Sequence, residues 1–139
     1  MSTFNFFEED IKFLLKGKTK LRGWYLKMLS EEGRTAENLN FIFCSDDYLL
    51  KINKKYLNMN DYTDVIAFQY NLKSEPIAGD IYISIPRIRE NAAIFKTSPS
   101  AELKRVMAHG ILHLLGYKDK TKSEKIIIRE KENYYLNKF

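Results

Sequence analysis

The stretch HGILHLLGYKD, His109 to Asp119, constrains this chain more than any other. It holds both histidines of the protein. They stand at i and i+4 on an apolar segment. At about 100° per residue they project about 40° apart on one helix face, one turn above the other. Two imidazole nitrogens so placed can grip one metal ion. A catalytic zinc takes three protein ligands and keeps a position open. The same helix does not supply the third, because continued helix would rotate Asp119 about 240° away from His113. The chain must break and return. Gly116 sits where a glycine stop permits this, since glycine takes the left-handed conformation at little cost. His109, His113 and Asp119 are therefore the expected ligands of one Zn2+ per chain.

The spacing resembles the metzincin zinc helix, H-E-x-x-H-x-x-G-x-x-H, with two changes. Gly110 stands in place of the glutamate and Asp119 in place of the last histidine. Aspartate is a sound zinc ligand through oxygen. Two histidines and a carboxylate carry one positive charge less than three histidines, so a coordinated water should be less acidic. The glutamate is the general base of the zinc proteases, so its absence argues against peptide hydrolysis. The bland alternative is a pair of buried, hydrogen-bonded histidines before a helix stop.

Along the chain, residues 3–7 read as a strand. Residues 18–32 read as a helix, with Leu21, Trp24, Tyr25, Met28 and Leu29 at helical spacing and Gly33 as its stop. Residues 39–44 read as a strand with Leu39, Phe41 and Phe43 on one face. Ser45 or Asp46 caps a helix to about Tyr56. Residues 63–70 and 79–85 alternate as strands around the turn NLKSEP, with Ile66, Phe68 and Tyr70 sharing a face. Pro86 and Pro99 suit helix first turns, the second helix carrying both histidines. Thr121 and Glu124 form a capping box for a last helix to about Leu136. The pattern predicts an α/β (α+β) fold: a small mixed β-sheet packed with helices, in a single domain over 1–139.

Composition narrows the setting. Hydrophobic residues at 45% and charged residues at 29% fit a globular chain rather than a disordered one. No apolar run reaches the roughly 18 residues of a membrane span. The N-terminal stretch lacks the basic start and cleavage site of a signal peptide. The single cysteine, Cys44, excludes an internal disulfide and reads as a core thiol. Together these predict a cytoplasmic protein. A net charge of +5 favours a polyanionic partner.

HGILHLLGYKD is similar to HGxLHLxGYDH, the signature of the YbeY family of bacterial metal-dependent endoribonucleases. INKKYLNMNDYTDVIAF, residues 52–68, resembles its LNxxYRxxDxPTDVLSF, and GDIYIS, residues 79–84, resembles its GDIxIS. These segments keep the family's order over about half of the chain. The resemblance implies a zinc-bearing α/β fold acting on the small ribosomal subunit. The implied reaction is single-strand-specific cleavage in 16S rRNA 3′-end maturation, with a part in ribosome quality control. Ribosomal RNA and ribosome-associated proteins are the implied partners, with no membrane. The chain departs from the pattern at Asp119 for histidine, Lys118 for aspartate and Tyr62 for proline. It also has Leu57 for the arginine to which RNA cleavage is attributed. Leucine neither stabilises phosphoryl charge nor donates a hydrogen bond.

The residues leave the route of cleavage open. A metal ion can activate water or polarise a phosphoryl oxygen, and RNA also offers its own 2′-hydroxyl. No general base is evident; Asp64 and Asp80 are candidates for metal-site support or proton handling. Lys118, Lys120 and Lys122 flank Asp119 and are the candidate phosphate contacts, with Lys16, Lys18, Lys20, Arg22 and Lys27 as a second basic cluster. Tyr56 and Tyr117 are candidates for base stacking, with packing as the alternative role. Leu57 keeps a second function in view: a non-catalytic ribosome-assembly factor whose metal braces the fold.

Overall fold

The computed structural model describes residues 3–71 and 76–138. Its elements follow the order β1 (Thr3–Glu8), α1 (Lys18–Glu31), β2 (Ala36–Cys44), α2 (Asp46–Leu57), β3 (Val65–Gln69), β4 (Ile77–Ser84), α3 (Ile85–Ile94), α4 (Pro99–Leu114) and α5 (Lys122–Leu136). The four strands form one sheet in the order β1-β2-β4-β3. β1 and β4 flank β2 in parallel, and β3 closes the edge antiparallel to β4. This is the mixed α/β sheet that the pattern predicts. Most of the turn expected at NLKSEP lies outside the described residues.

β2 is the central parallel strand, and both of its faces are buried along its C-terminal half. That is the usual condition of parallel sheets covered by helices. Leu39, Phe41 and Phe43 stand in register with Gly79, Ile81 and Ile83 of β4. On this face Tyr25 of α1 meets the Phe41 ring, while α4 adds Val106, Met107, Ile111 and Leu112 to the same core. Full burial of each such side chain stabilises the fold by about 1.5–3 kcal/mol. The opposite face carries a smaller core of Cys44, Leu49 and Ile66 beneath α2, flanked by Phe68 and Tyr82. Cys44 is a core thiol. Burial, with Asp10, Glu9 and Asp46 nearby, pushes its pKa up to about 12.

β2 starts earlier than its hydrophobic pattern suggests. Asn38 and Asn40 interrupt the pattern, but their side chains pair across strands, Asn38 at the exposed end and Asn40 half-buried. Asn5 donates to Asn40, which donates to Asp80, and Tyr70 closes the row on the same carboxylate. Asp80 is thereby occupied on the sheet face away from α4. Its expected role in metal-site support or proton handling finds no counterpart in its contacts.

Two glycines set how close α4 lies to the sheet. A Cβ on Gly110 would meet Ile81 Cγ2 at 2.6 Å, and one on Gly79 would strike the Phe68 carbonyl oxygen and lie 3.3 Å from Leu114 Cδ2. Each contact requires the absence of a side chain.

Candidate metal centre

α4 starts at Ser98, whose side chain accepts from the Ala101 N–H at 3.0 Å, with Pro99 in the first turn. It ends in a Schellman motif: Gly116 N–H donates to His113 O and Tyr117 N–H to Leu112 O, both at 3.0 Å. Gly116 has φ 105°, a conformation that favours glycine. The returning loop is pinned at both ends. The Tyr117 hydroxyl donates to Glu32 at 2.6 Å, and Thr121 and Glu124 form the capping box of α5. Asp119 is held between these two anchors.

The result is a tight triangle. His109 Nε2 lies 2.9 Å from His113 Nε2, and Asp119 Oδ2 lies 3.3 Å from the first and 3.2 Å from the second. Tetrahedral bonds of about 2.0–2.1 Å place neighbouring donors about 3.3 Å apart, so the triangle has the dimensions of one face of such a site. Among the described residues, this is the one group of three His, Cys, Asp or Glu side chains with that convergence. Two imidazole lone pairs and a carboxylate facing one point repel each other unless a cation or a shared proton lies among them. The donor set therefore fits a divalent metal.

Behind the triangle stands a residue that the sequence reading misses. Glu132 of α5, with its side chain 2% exposed, pairs Oε2 with His109 Nδ1 and accepts from Arg105 on Oε1 at 3.0 Å. Arg105 also binds Glu102, itself buried. Two carboxylates against one guanidinium leave a negative charge beneath His109. Burial raises the Glu132 pKa, but the hydrogen bonds and charges of His109 and Arg105 outweigh it and hold Glu132 below the ordinary glutamate range. Burial likewise disfavours a charged His109. The hydrogen bond and charge of Glu132, with Asp119 and Asp64 adding to them, prevail and raise its pKa. His113 is shifted down by burial and by the charge of His109. The ionised Glu132 fixes a proton on His109 Nδ1 and turns the Nε2 lone pair to the centre, as carboxylate–histidine pairs do at metal sites. One signal was available in the sequence: Glu102, Arg105, His109 and His113 recur at spacings that share one face of α4.

Two cavities meet at the triangle. One, of about 520 Å³, is walled by His109, His113 and Asp119 together with Asn53, Leu57, Asp64 and Gln69. Asp64 thus reaches the site from the segment before β3. Leu57, 47% exposed at the end of α2, lines the same cavity. The other, of about 530 Å³, shares His109 and Asp119 and is walled by α5. Of the three lysines flanking Asp119, Lys122, the first residue of α5, borders this second cavity. Lys118 and Lys120 stand exposed and line neither. The N-terminal basic cluster borders neither cavity. Its Arg22 is committed to the Phe4 carbonyl at 3.1 Å and the Phe6 ring. Tyr117 packs beneath Lys131 and binds Glu32, whereas Tyr56 is exposed with its ring edge against Phe68. No helix among the described residues is long and apolar enough to cross a membrane.

A family model described as Endoribonuclease YbeY matches residues 6–139. An Endoribonuclease YbeY of Flavobacterium psychrophilum is 46% identical over 139 residues, covering 100% of this chain and 96% of its own. One of Karelsulcia muelleri is 48% identical over 127 residues, covering 91% of this chain and 89% of its own. The solution structure of TM1509 from Thermotoga maritima matches with a TM-score of 0.68 at 25% identity, covering 97% of this chain and 87% of that one.

Proposed function

The chain belongs to the endoribonuclease YbeY family, and from that premise we propose that it is a zinc-dependent, single-strand-specific endoribonuclease. Its proposed substrate is the small-subunit rRNA precursor, cut during 3′-end maturation and ribosome quality control in the cytoplasm. The observation that carries the metal-dependent reading is the convergence of His109, His113 and Asp119, backed by the buried Glu132. Those three side chains would hold the ion, and two nitrogens and one oxygen suit Zn2+. When bound, such an ion supplies positive charge to a phosphoryl oxygen and makes water more acidic. Glu132 orients His109 and stabilises positive charge on its far side. Asp64 is the carboxylate placed in the same cavity to accept or return a proton. Gly110 offers no carboxylate where a zinc protease has one, and the contact with Ile81 leaves no room for it.

Leu57 favours a second reading, a ribosome-assembly factor whose metal braces the loop between α4 and α5. Its side chain lies in the cavity where the family pattern carries an arginine. Cleavage of small-subunit precursor RNA with and without chelator separates the two. Metal-dependent cutting supports the nuclease, whereas loss of folding on chelation with no cutting when loaded supports the brace. Elemental analysis of Asp119→Ala beside the parent protein should show a marked drop in bound metal. Undiminished content would remove Asp119 from the ligand set.

A further inference from the structure

The two cavities that meet at the triangle differ in charge. The cavity toward β3 is walled by Asn53, Leu57, Thr63, Asp64, Gln69 and their apolar neighbours, with no lysine or arginine. The cavity toward α5 is walled by Arg105, Lys122, Lys125 and Arg129, with Glu130 and Glu132. Arg105 is already neutralised by its two buried glutamates. Lys122, Lys125 and Arg129 follow one another at spacings of three and four, so they share one face of α5 within an arc of about 60°. They extend about 10 Å along the helix. All three are exposed. Arg129 approaches Glu132 only at 3.9 Å, leaving most of its donors available.

A phosphodiester at the triangle therefore meets cations on one side only. We propose that Lys122, Lys125 and Arg129 form the phosphate-binding track of the site, so that the RNA backbone runs along α5 and the base enters the cavity beside Leu57, which has no lysine or arginine in its wall. The inference rests on the ribonuclease reading and adds to it Lys125 and Arg129, which follow Lys122 along the same face. Arg129 supplies from α5 the cation that Leu57 cannot supply from α2. Its planar fork suits bidentate contact with phosphate, and lysine supplies only a point charge. Lys118 and Lys120 lie off the track.

The test is equilibrium binding of a single-stranded 2′-O-methyl oligoribonucleotide, followed by fluorescence anisotropy across a salt series. Each phosphate neutralised on a single strand contributes about 0.7 to the log–log slope. The double variant Lys125→Ala/Arg129→Ala should therefore lose about 1.4 from the slope and bind on the order of tenfold more weakly at low salt. Arg129→Lys keeps the charge and should keep the slope. Lys12→Ala, an exposed lysine outside both cavities, should match the parent protein. An unchanged slope in the double variant overturns the track, as does an equal loss in Lys12→Ala. Parent protein that binds and cuts RNA while the double variant keeps its slope refutes the track alone. Parent protein that neither binds nor cuts refutes the ribonuclease reading and the track together.

Discussion

Replacing Glu132 by glutamine tests whether the buried carboxylate tunes the triangle. Glutamine keeps the volume of the side chain but has one oxygen where glutamate has two. In the folded protein both are used: Oε1 accepts from Arg105 and Oε2 pairs with His109 Nδ1. With the His109 proton kept on Nδ1, the amide NH2 faces a donor whichever way it turns; His109 accepts from it only by moving that proton to Nε2, the nitrogen aimed at the triangle. Holding the metal-binding tautomer therefore loses one hydrogen bond and leaves a donor buried, which costs about 1–3 kcal/mol. His109 also loses the negative charge that makes its far nitrogen a better ligand. Removing such a partner weakens metal affinity about 10- to 100-fold, equivalent to about 1.4–2.7 kcal/mol. A chelator-competition titration reads the affinity and thermal melting of the metal-free protein reads the stability. Glu37→Gln, an exposed position on β2, is the control. A folded Glu132→Gln protein that binds metal within twofold of the parent would refute the argument that this carboxylate sets the basicity of His109.

Gly110→Ala gains about 1 kcal/mol of helix propensity but places a methyl against the buried Ile81, an overpacking that costs about 1–3 kcal/mol. The net loss, read by denaturant unfolding, should shrink in an Ile81→Ala background; strict additivity in that double-mutant cycle would remove the contact as its cause. Glu32 receives the hydroxyls of Tyr117 and Tyr135 and the Lys131 ammonium. Burial raises its pKa, but these partners outweigh burial and lower it below the ordinary glutamate value. Its stabilisation is therefore full above the unfolded-state value and disappears as pH falls through the depressed folded value. The stability gap between the parent and Glu32→Gln should accordingly close on acidification. A gap constant from neutral pH to below the carboxylate range would contradict the assignment.

Much of the site was legible because its information is local. The i,i+4 histidines, the stop at Gly116 and the capping box at Thr121 each act within a few residues. Together they turn Asp119 back toward the histidines without reference to the rest of the chain. Glu132 was not legible in the same way. It reads as one acid among the charges of an exposed-looking helix, and its burial arises only when α5 packs on α4. Asp80 shows the converse. A carboxylate in a strand beside the motif looks available, yet the parallel register of β2 and β4 sets it opposite Asn40, on the face away from α4. The extension of β2 back to Ala36 was hidden for a related reason. Its polar residues satisfy one another across strands, which no single-strand hydrophobic pattern reveals.

Gly110 links the shape of the site to its chemistry. Any side chain there would press on Ile81 and lift α4 from β4. β3 is paired to β4, with Ala67 opposite Ile81, so it would be left behind. The wall that Asp64, Ala67 and Gln69 present to His109 and His113 would then withdraw from the triangle. The same absence of a side chain that denies the helix a protease-type base thus brings the edge strand close enough to close the cavity. On the proposed reading, proton handling would fall to Asp64 on the β3 side and charge stabilisation to the cations on the α5 side. A site divided in this way suits a substrate that carries its charge along a backbone and its bases to one side, as single-stranded RNA does, better than it suits a peptide.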